Sequence, residues 1–117
     1  MATIKSYTDI NQSRKLAEIL PLESADMYYP KHNAVYAETS SGSGNIQNPN
    51  IIGYTPCWSL AALLNILPKV INNETLFIET SPALWHIGYR NIYTARADNP
   101  VDACVEIIEK LHKQNIL

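Results

Sequence analysis

The sequence predicts an α+β fold, with one antiparallel sheet of about three or four strands flanked by helices. Two observations lead to this prediction. From Thr55 to Leu117, two segments of helical periodicity bracket two segments in which apolar residues alternate. Each helical segment also opens on a polar residue followed by proline, which is typical of helix starts. The expected order is helix, strand, loop, helix, strand, strand, helix.

The first helix is predicted to run from Ile10 to Leu20. Asp9 is a suitable N-cap, and Gln12 stands three residues later, as in a capping box. Pro21 cannot continue a helix and therefore ends it.

Three less regular segments follow the first helix. Residues 21–31 show neither helical nor strand periodicity and predict an ordered loop that packs on other parts of the chain. Residues 33–39 alternate weakly and predict a strand. Residues 40–50 are rich in Gly, Ser and Asn and bury too little to offset their ordering entropy, which predicts a flexible loop.

A second helix is predicted to begin at Pro56, with Thr55 as its N-cap, and to end at Pro68. Its apolar residues follow the spacing of a buried helical stripe. This stripe contains Cys57, Leu60, Ala61, Leu64 and Leu67.

Two strands and a last helix complete the chain. The strands are predicted at residues 75–80 and 84–89. Beyond Arg90 two alternatives stay open, in which the second strand continues to Thr94 or Asn91 introduces a turn or bulge. Asn99 and Pro100 open the last helix, whose apolar stripe is uninterrupted. We expect these elements to share one core.

Length and composition indicate one globular domain spanning residues 1–117. Hydrophobic residues make up 46% of the 117 residues and charged residues 17%, as in ordinary folded proteins. The formal net charge of −2 argues against binding to duplex nucleic acid, because neutralising many phosphates requires clustered Lys and Arg.

The sequence has no segment with the length and apolar character of a signal peptide or a membrane span. We therefore expect a cytoplasmic protein that does not contact a membrane. Cys57 and Cys104 lie at apolar positions without metal-ligand spacing, which favours buried, reduced thiols.

Groups that carry catalysis are scarce. The chain has three histidines, His32, His86 and His112, and none of them belongs to a recognised motif. Carboxylate pairs such as Glu23 with Asp26 fit a catalytic role and an ordinary structural or surface role equally well. We expect no catalytic residues, no metal site and no cofactor.

The aromatic residues are the more informative set. Tyr and Trp rings can stack on a nucleotide base, and Arg or Lys can hold a phosphate by charge-assisted hydrogen bonds. The residues predicted to bind a ligand on this basis are Tyr28, Tyr29, Lys31, His32, Trp58, His86 and Arg90. The alternative is that the large aromatics, Trp58 above all, belong to the core or to a dimer interface.

Three segments resemble a family of small phage-encoded proteins described as ABA-sandwich domains. They are Tyr54 to Trp58, the triplet Trp85-His86-Ile87, and Ala95 to Ala103, which carries the pattern A-x-A-D-x-P-x-x-A. The resemblance covers roughly residues 54–112, whereas the N-terminal half departs from the family. It implies a phage or prophage origin, hence a host-cell cytosol location, and supplies no reaction.

Three functions follow, in order of preference. The first is a non-enzymatic phage or prophage accessory protein that binds a small ligand or a host factor; in one version of this hypothesis, the ligand is a nucleotide signal of host defence, which the protein sequesters. The second is a homo-oligomeric interaction or assembly module without a small-molecule ligand. The third is a small hydrolase or transferase that uses His32 or His86 with a nearby carboxylate.

Overall fold

A computed structural model describes residues 5–31, 35–39 and 54–117. The chain divides into two units, which we call the N-terminal unit (Tyr7–Ala62) and the C-terminal unit (Met1–Ser6 with Leu63–Leu117). Helices and two antiparallel sheets together confirm the predicted α+β class. The prediction of a single domain stays a prediction, and the flexible loop predicted at 40–50 lies outside the described residues.

The N-terminal unit combines one helix with a sheet of three short strands. Helix α1 is followed by one turn of 3₁₀ helix, and α1 packs on the last strand of the sheet. The strands pair antiparallel in the order β2-β1-β3. The elements are α1 (Ile10–Ala17), the 3₁₀ turn (Leu22–Ser24), β1 (Met27–Tyr29), β2 (Glu38–Thr39) and β3 (Thr55–Cys57).

The capping box predicted for α1 is present. The backbone N–H of Gln12 donates to Asp9 Oδ1 over 2.8 Å, and the backbone N–H of Asp9 donates to Gln12 Oε1 over 3.0 Å. The helix ends at Ala17, three residues before the predicted end. The stretch predicted to be an irregular loop contains β1, because its main chain pairs with strands on both sides.

The second helix does not begin at Pro56, and this prediction was wrong. Thr55, Pro56 and Cys57 form β3, in which Pro56 pairs with Tyr28. Helix α2 (Leu60–Ile66) begins four residues later, where the Ser59 hydroxyl accepts a hydrogen bond from the Ala62 N–H over 3.1 Å. Cys57 therefore lies in a strand rather than in a helix, although it is fully buried as expected.

The C-terminal unit consists of a four-stranded antiparallel sheet, in the order β4-β5-β6-β7, and one long helix. The two predicted strands and the final helix are present, and the turn at Asn91 separates two strands instead of interrupting one. The elements are β4 (Val70–Ile71), β5 (Glu74–Thr80), β6 (Trp85–Tyr89), β7 (Tyr93–Ala97) and α3 (Pro100–Lys113).

Helix α3 packs on one side of β6 and β7. Its eight buried residues include Cys104, whereas the opposite side of the sheet carries exposed and half-buried polar groups. The helix begins as predicted, with the Asn99 side chain accepting from the Asp102 N–H over 2.8 Å. Asp102 also pairs with Lys5 over 2.8 Å, which ties the first described residue of the chain to the start of this helix.

Within the described residues, no helix is both long enough and apolar enough to cross a membrane.

Candidate functional site

A pair of tyrosine rings lies on one side of the three-stranded sheet. Tyr28, in β1, and Tyr54, just before β3, meet edge to face with their ring centroids 4.9 Å apart and their planes at 60°. Both side chains are half-buried. Edge-to-face contact is the favoured geometry of aromatic pairs, so the two rings fix each other's orientation.

A carboxylate borders this pair. Glu38 in β2 stands directly opposite Tyr28 and is close enough to influence its hydroxyl. Partial burial, and after it the interaction with Glu38, raise the pKa of Tyr28 above its ordinary value. Because directly paired residues point to the same side of a sheet, Pro56, which is buried, lies on the same side as Tyr28 and packs under this surface. We call this surface the tyrosine face; it consists of Tyr28, Glu38, Tyr54 and Pro56.

On the opposite side of the same sheet lies Tyr29, which is buried. Its side chain is only 3% exposed, and its hydroxyl donates to the Thr8 carbonyl over 2.7 Å. Burial is the main cause that raises the pKa of this hydroxyl. Tyr28 and Tyr29 are adjacent in sequence, but they therefore occupy different environments.

The remaining predicted residues of this half have distinct positions. Trp58 is 0% exposed, and its indole N–H donates to Ser24 Oγ over 2.9 Å. Lys31 is exposed, two residues after the end of β1. His32 lies outside the described residues.

His86 and Arg90 belong to the C-terminal unit. The structure thus groups the predicted ligand-binding residues into two sets, one in each unit. His86 is half-buried, and its Nε2 lies 2.7 Å from the Ser81 carbonyl oxygen, which can only accept, so this nitrogen carries a proton. Arg90 lies over the Phe77 ring, with its guanidinium carbon 4.3 Å from the ring centroid, and pairs with Glu79 over 3.0 Å.

These side chains share the side of the sheet that faces away from α3. Cross-strand pairing places Glu79 opposite His86 and His86 opposite Arg96. Phe77 stands opposite Gly88, one pair further along the same side. We call this surface the arginine face; it consists of Phe77, Glu79, His86, Gly88, Arg90 and Arg96.

Three side chains that could act as nucleophiles, those of Ser59, Cys57 and Cys104, are either engaged in hydrogen bonds or buried. The Ser59 hydroxyl donates to Asp26 Oδ2 over 2.5 Å and caps α2. Cys57 and Cys104 are fully buried, and burial raises the pKa of both thiols, to about 12 for Cys104. A high pKa keeps a thiol protonated and weakly nucleophilic at neutral pH.

Within residues 5–31, 35–39 and 54–117, no three His, Cys, Asp or Glu side chains cluster in a way that could hold a metal ion.

Sequence reasoning missed several members of both faces. Glu38 and Tyr54 were not among the predicted ligand-binding residues, nor were Phe77 and Arg96. A signal for Arg96 exists in the sequence, because Tyr93, Ala95 and Ala97 alternate with polar residues and place Arg96 on the polar side of a strand. The neighbour relation between Glu38 and Tyr28 depends on a pairing register that no local pattern specifies.

Comparison of the chain with protein-family models, with curated proteins and with solved structures gave no match.

Proposed function

We propose that this chain is a binding protein without a reaction of its own, and that it holds a small molecule with a planar ring on the tyrosine face. The observation that supports this most directly is the edge-to-face contact of Tyr28 and Tyr54 at 4.9 Å. A ligand ring placed against two such preorganised rings gains stacking energy without ordering them first.

The carboxylate of Glu38 narrows the class of ligand. An ionised carboxylate only accepts hydrogen bonds, so it favours a ring that carries N–H donors over one that presents an anion at this edge. The exocyclic amino group of a nucleobase fits this requirement. Exposed Lys31 follows the end of β1 and supplies a positive charge for a phosphate elsewhere on the same ligand.

The proposal has a biological part as well. The resemblance to phage-encoded proteins suggests that the ligand is a nucleotide signal of host defence, which the protein would sequester. Neighbouring phage or defence genes would support this part, and a neighbourhood of unrelated metabolic genes would count against it.

Isothermal titration against a panel of nucleosides and nucleotides tests the binding itself. Stacking on one aromatic side chain contributes ~1–3 kcal/mol, so Tyr54→Leu should weaken binding by about tenfold or more. The matched control is Tyr93→Leu, which removes a half-buried tyrosine from the other unit and should leave the affinity unchanged.

Two further variants separate the roles of ring and edge. Tyr28→Phe keeps the ring and should retain most of the affinity. Glu38→Gln can donate as well as accept, so it should reduce the preference for amino-bearing bases over uracil. The absence of any heat signal across the whole panel would contradict the proposal.

A homo-oligomeric module is the second candidate, because the exposed aliphatic side chains of the C-terminal unit include Val70 and Ile78. Val70 is 55% exposed and Ile78 44% exposed. Burial of such side chains between copies would be favourable. Light scattering that finds only a monomer at high protein concentration would contradict this candidate.

A further inference from the structure

The arginine face gathers positive charge on a chain whose formal net charge is −2. Arg90 and Arg96 lie on it together with His86, and Glu79 is the carboxylate that stands in the same cross-strand row. The Glu79 carboxylate is engaged by Arg90 over 3.0 Å, so its charge is compensated locally. The side chains of Arg90 and Arg96 are exposed.

Arg90 is held in place by two contacts. Its guanidinium lies over the Phe77 ring, and one of its nitrogens, Nη2, bonds to Glu79. A guanidinium has five N–H donors, and the Glu79 bond leaves several of them for a ligand. The flat outer surface of the guanidinium can also stack on a planar group.

His86 and Arg96 form the other end of the face. They are direct cross-strand partners, which places their Cβ atoms roughly 5 Å apart. No ion pair within the described part of the chain involves Arg96. The Nε2 proton of His86 is directed at the Ser81 carbonyl, so Nδ1 is the nitrogen that remains for a ligand, and it donates an N–H to a phosphate oxygen when the ring carries a proton on both nitrogens.

We propose that the arginine face binds a phosphate group, held by Arg96 and His86, whose ester substituent is a planar ring placed against Arg90. Donors that come from two different strands suit the tetrahedral oxygens of phosphate, whereas a planar carboxylate is satisfied by a single guanidinium. The Arg90 guanidinium bonds to Glu79, which is the direct cross-strand partner of His86, so a ring placed against Arg90 lies close to a phosphate held at His86 and Arg96.

This site is independent of the tyrosine face, because its residues belong to the other unit. Its test uses different variants and different probes. The failure of one proposal therefore leaves the other standing.

Amide chemical shifts of the full chain, followed during titration with phenyl phosphate, inorganic phosphate and phenol, test the proposal. Phenyl phosphate should shift the amides of residues 79, 86 and 96 more than sodium chloride does at equal ionic strength. Arg96→Gln should weaken phenyl phosphate binding by about tenfold or more, since it removes a charge-assisted hydrogen bond, and Arg96→Lys should recover part of the loss.

Arg14→Gln is the matched control, because it removes an exposed arginine from α1 in the N-terminal unit. It should leave the titration unchanged. Equal losses in Arg96→Gln and Arg14→Gln, or shifts no larger than those caused by chloride, would overturn the site. Equal affinities for phenyl phosphate and inorganic phosphate would overturn the contact between the ring and Arg90.

Discussion

The Thr8 hydroxyl accepts a hydrogen bond from the Trp58 backbone N–H over 3.2 Å and lies 2.7 Å from the Ser13 hydroxyl, with which it also forms a hydrogen bond. Thr8 and Ser13 are both 0% exposed. Buried polar groups are costly unless they are bonded. This small network therefore links the start of the chain, α1 and the segment after β3.

Thr8→Val keeps the shape of the side chain but removes its hydroxyl. The Ser13 hydroxyl and the Trp58 N–H then lose a partner away from water, so the free energy of unfolding should fall by about 2 kcal/mol. Urea denaturation followed by Trp fluorescence measures this change. Thr94→Val, at an exposed strand position, should change stability by less than about 0.5 kcal/mol. Equal stability of Thr8→Val and the parent chain would contradict the role of the hydroxyl.

Gly88 should tolerate no side chain. Its φ is +154°, and a Cβ atom would lie against the Tyr93 carbonyl oxygen and only 2.7 Å from Thr94 Cα. Both are backbone atoms of the paired strand and cannot rotate away. We expect Gly88→Ala to lower the unfolding free energy by at least about 3 kcal/mol, measured by denaturant unfolding. Thr75→Ala, at an exposed position in the same sheet, is the control, and wild-type stability of Gly88→Ala would show that the strands can separate locally.

Asn91 forms the turn between β6 and β7 with a φ of +66°. This left-handed conformation costs roughly 1–2 kcal/mol for residues with an ordinary Cβ and little for glycine. Asn91→Ala should therefore lower the thermal unfolding temperature, whereas Asn91→Gly should stay close to the parent chain. A larger loss in the glycine variant than in the alanine variant would mean that the Asn side chain, rather than the backbone, stabilises the turn.

Stability should decrease in alkali. Burial raises the pKa of the Cys104 thiol to about 12 from an ordinary value of 9.0, and burial also raises the pKa of Tyr89 to about 12. The unfolded chain releases these protons at lower pH than the folded chain. The contribution of these two groups to the free energy of unfolding is fully present below about pH 9 and is lost as the pH rises towards 12.

Cys104→Ala should reduce the steepness of this loss by up to ~1.4 kcal/mol per pH unit. Urea denaturation at several pH values between 8 and 11 measures the slope. Ile107→Val is the control, because it removes volume from a buried position of the same helix but retains both thiols. If the unfolding free energy of Cys104→Ala fell with pH as steeply as that of the parent chain, the raised pKa of the Cys104 thiol would be contradicted.

The helices at the two ends of the chain were predictable because their signals are local. Asp9 with Gln12 and Asn99 with Pro100 specify helix starts within four residues, and α3 carries an apolar stripe over its whole length. The two longer strands were predictable for the same reason, since alternation is visible within each of them.

The start of α2 was not predictable from its local signal. Thr55 and Pro56 have the residue types of a helix start, yet Pro56 pairs with Tyr28 in β3. In the described sheet β3 is an outer strand, where a residue without an N–H is tolerated. Ser59 offers a second cap four residues after Thr55, and tertiary pairing decides between the two.

The composition of the two candidate sites was even harder to predict, because it depends on which residues of different strands are paired. Tyr28 and His86 were recognised by residue type, but their neighbours Glu38 and Arg96 follow from strand register. Register is set by the packing of the whole sheet and leaves little trace in the sequence around either partner.

The C-terminal unit is discontinuous in sequence, since its first segment precedes the N-terminal unit and the rest follows it. A fragment that starts at Leu63 would therefore lack Lys5, the partner of Asp102 at the beginning of α3. During synthesis the N-terminal unit is made as one contiguous stretch. The C-terminal unit is complete only after its second segment, which ends with α3, has been synthesised. A rearranged chain that joins residue 6 directly to Leu63 and carries residues 7–62 at one terminus would make that unit contiguous.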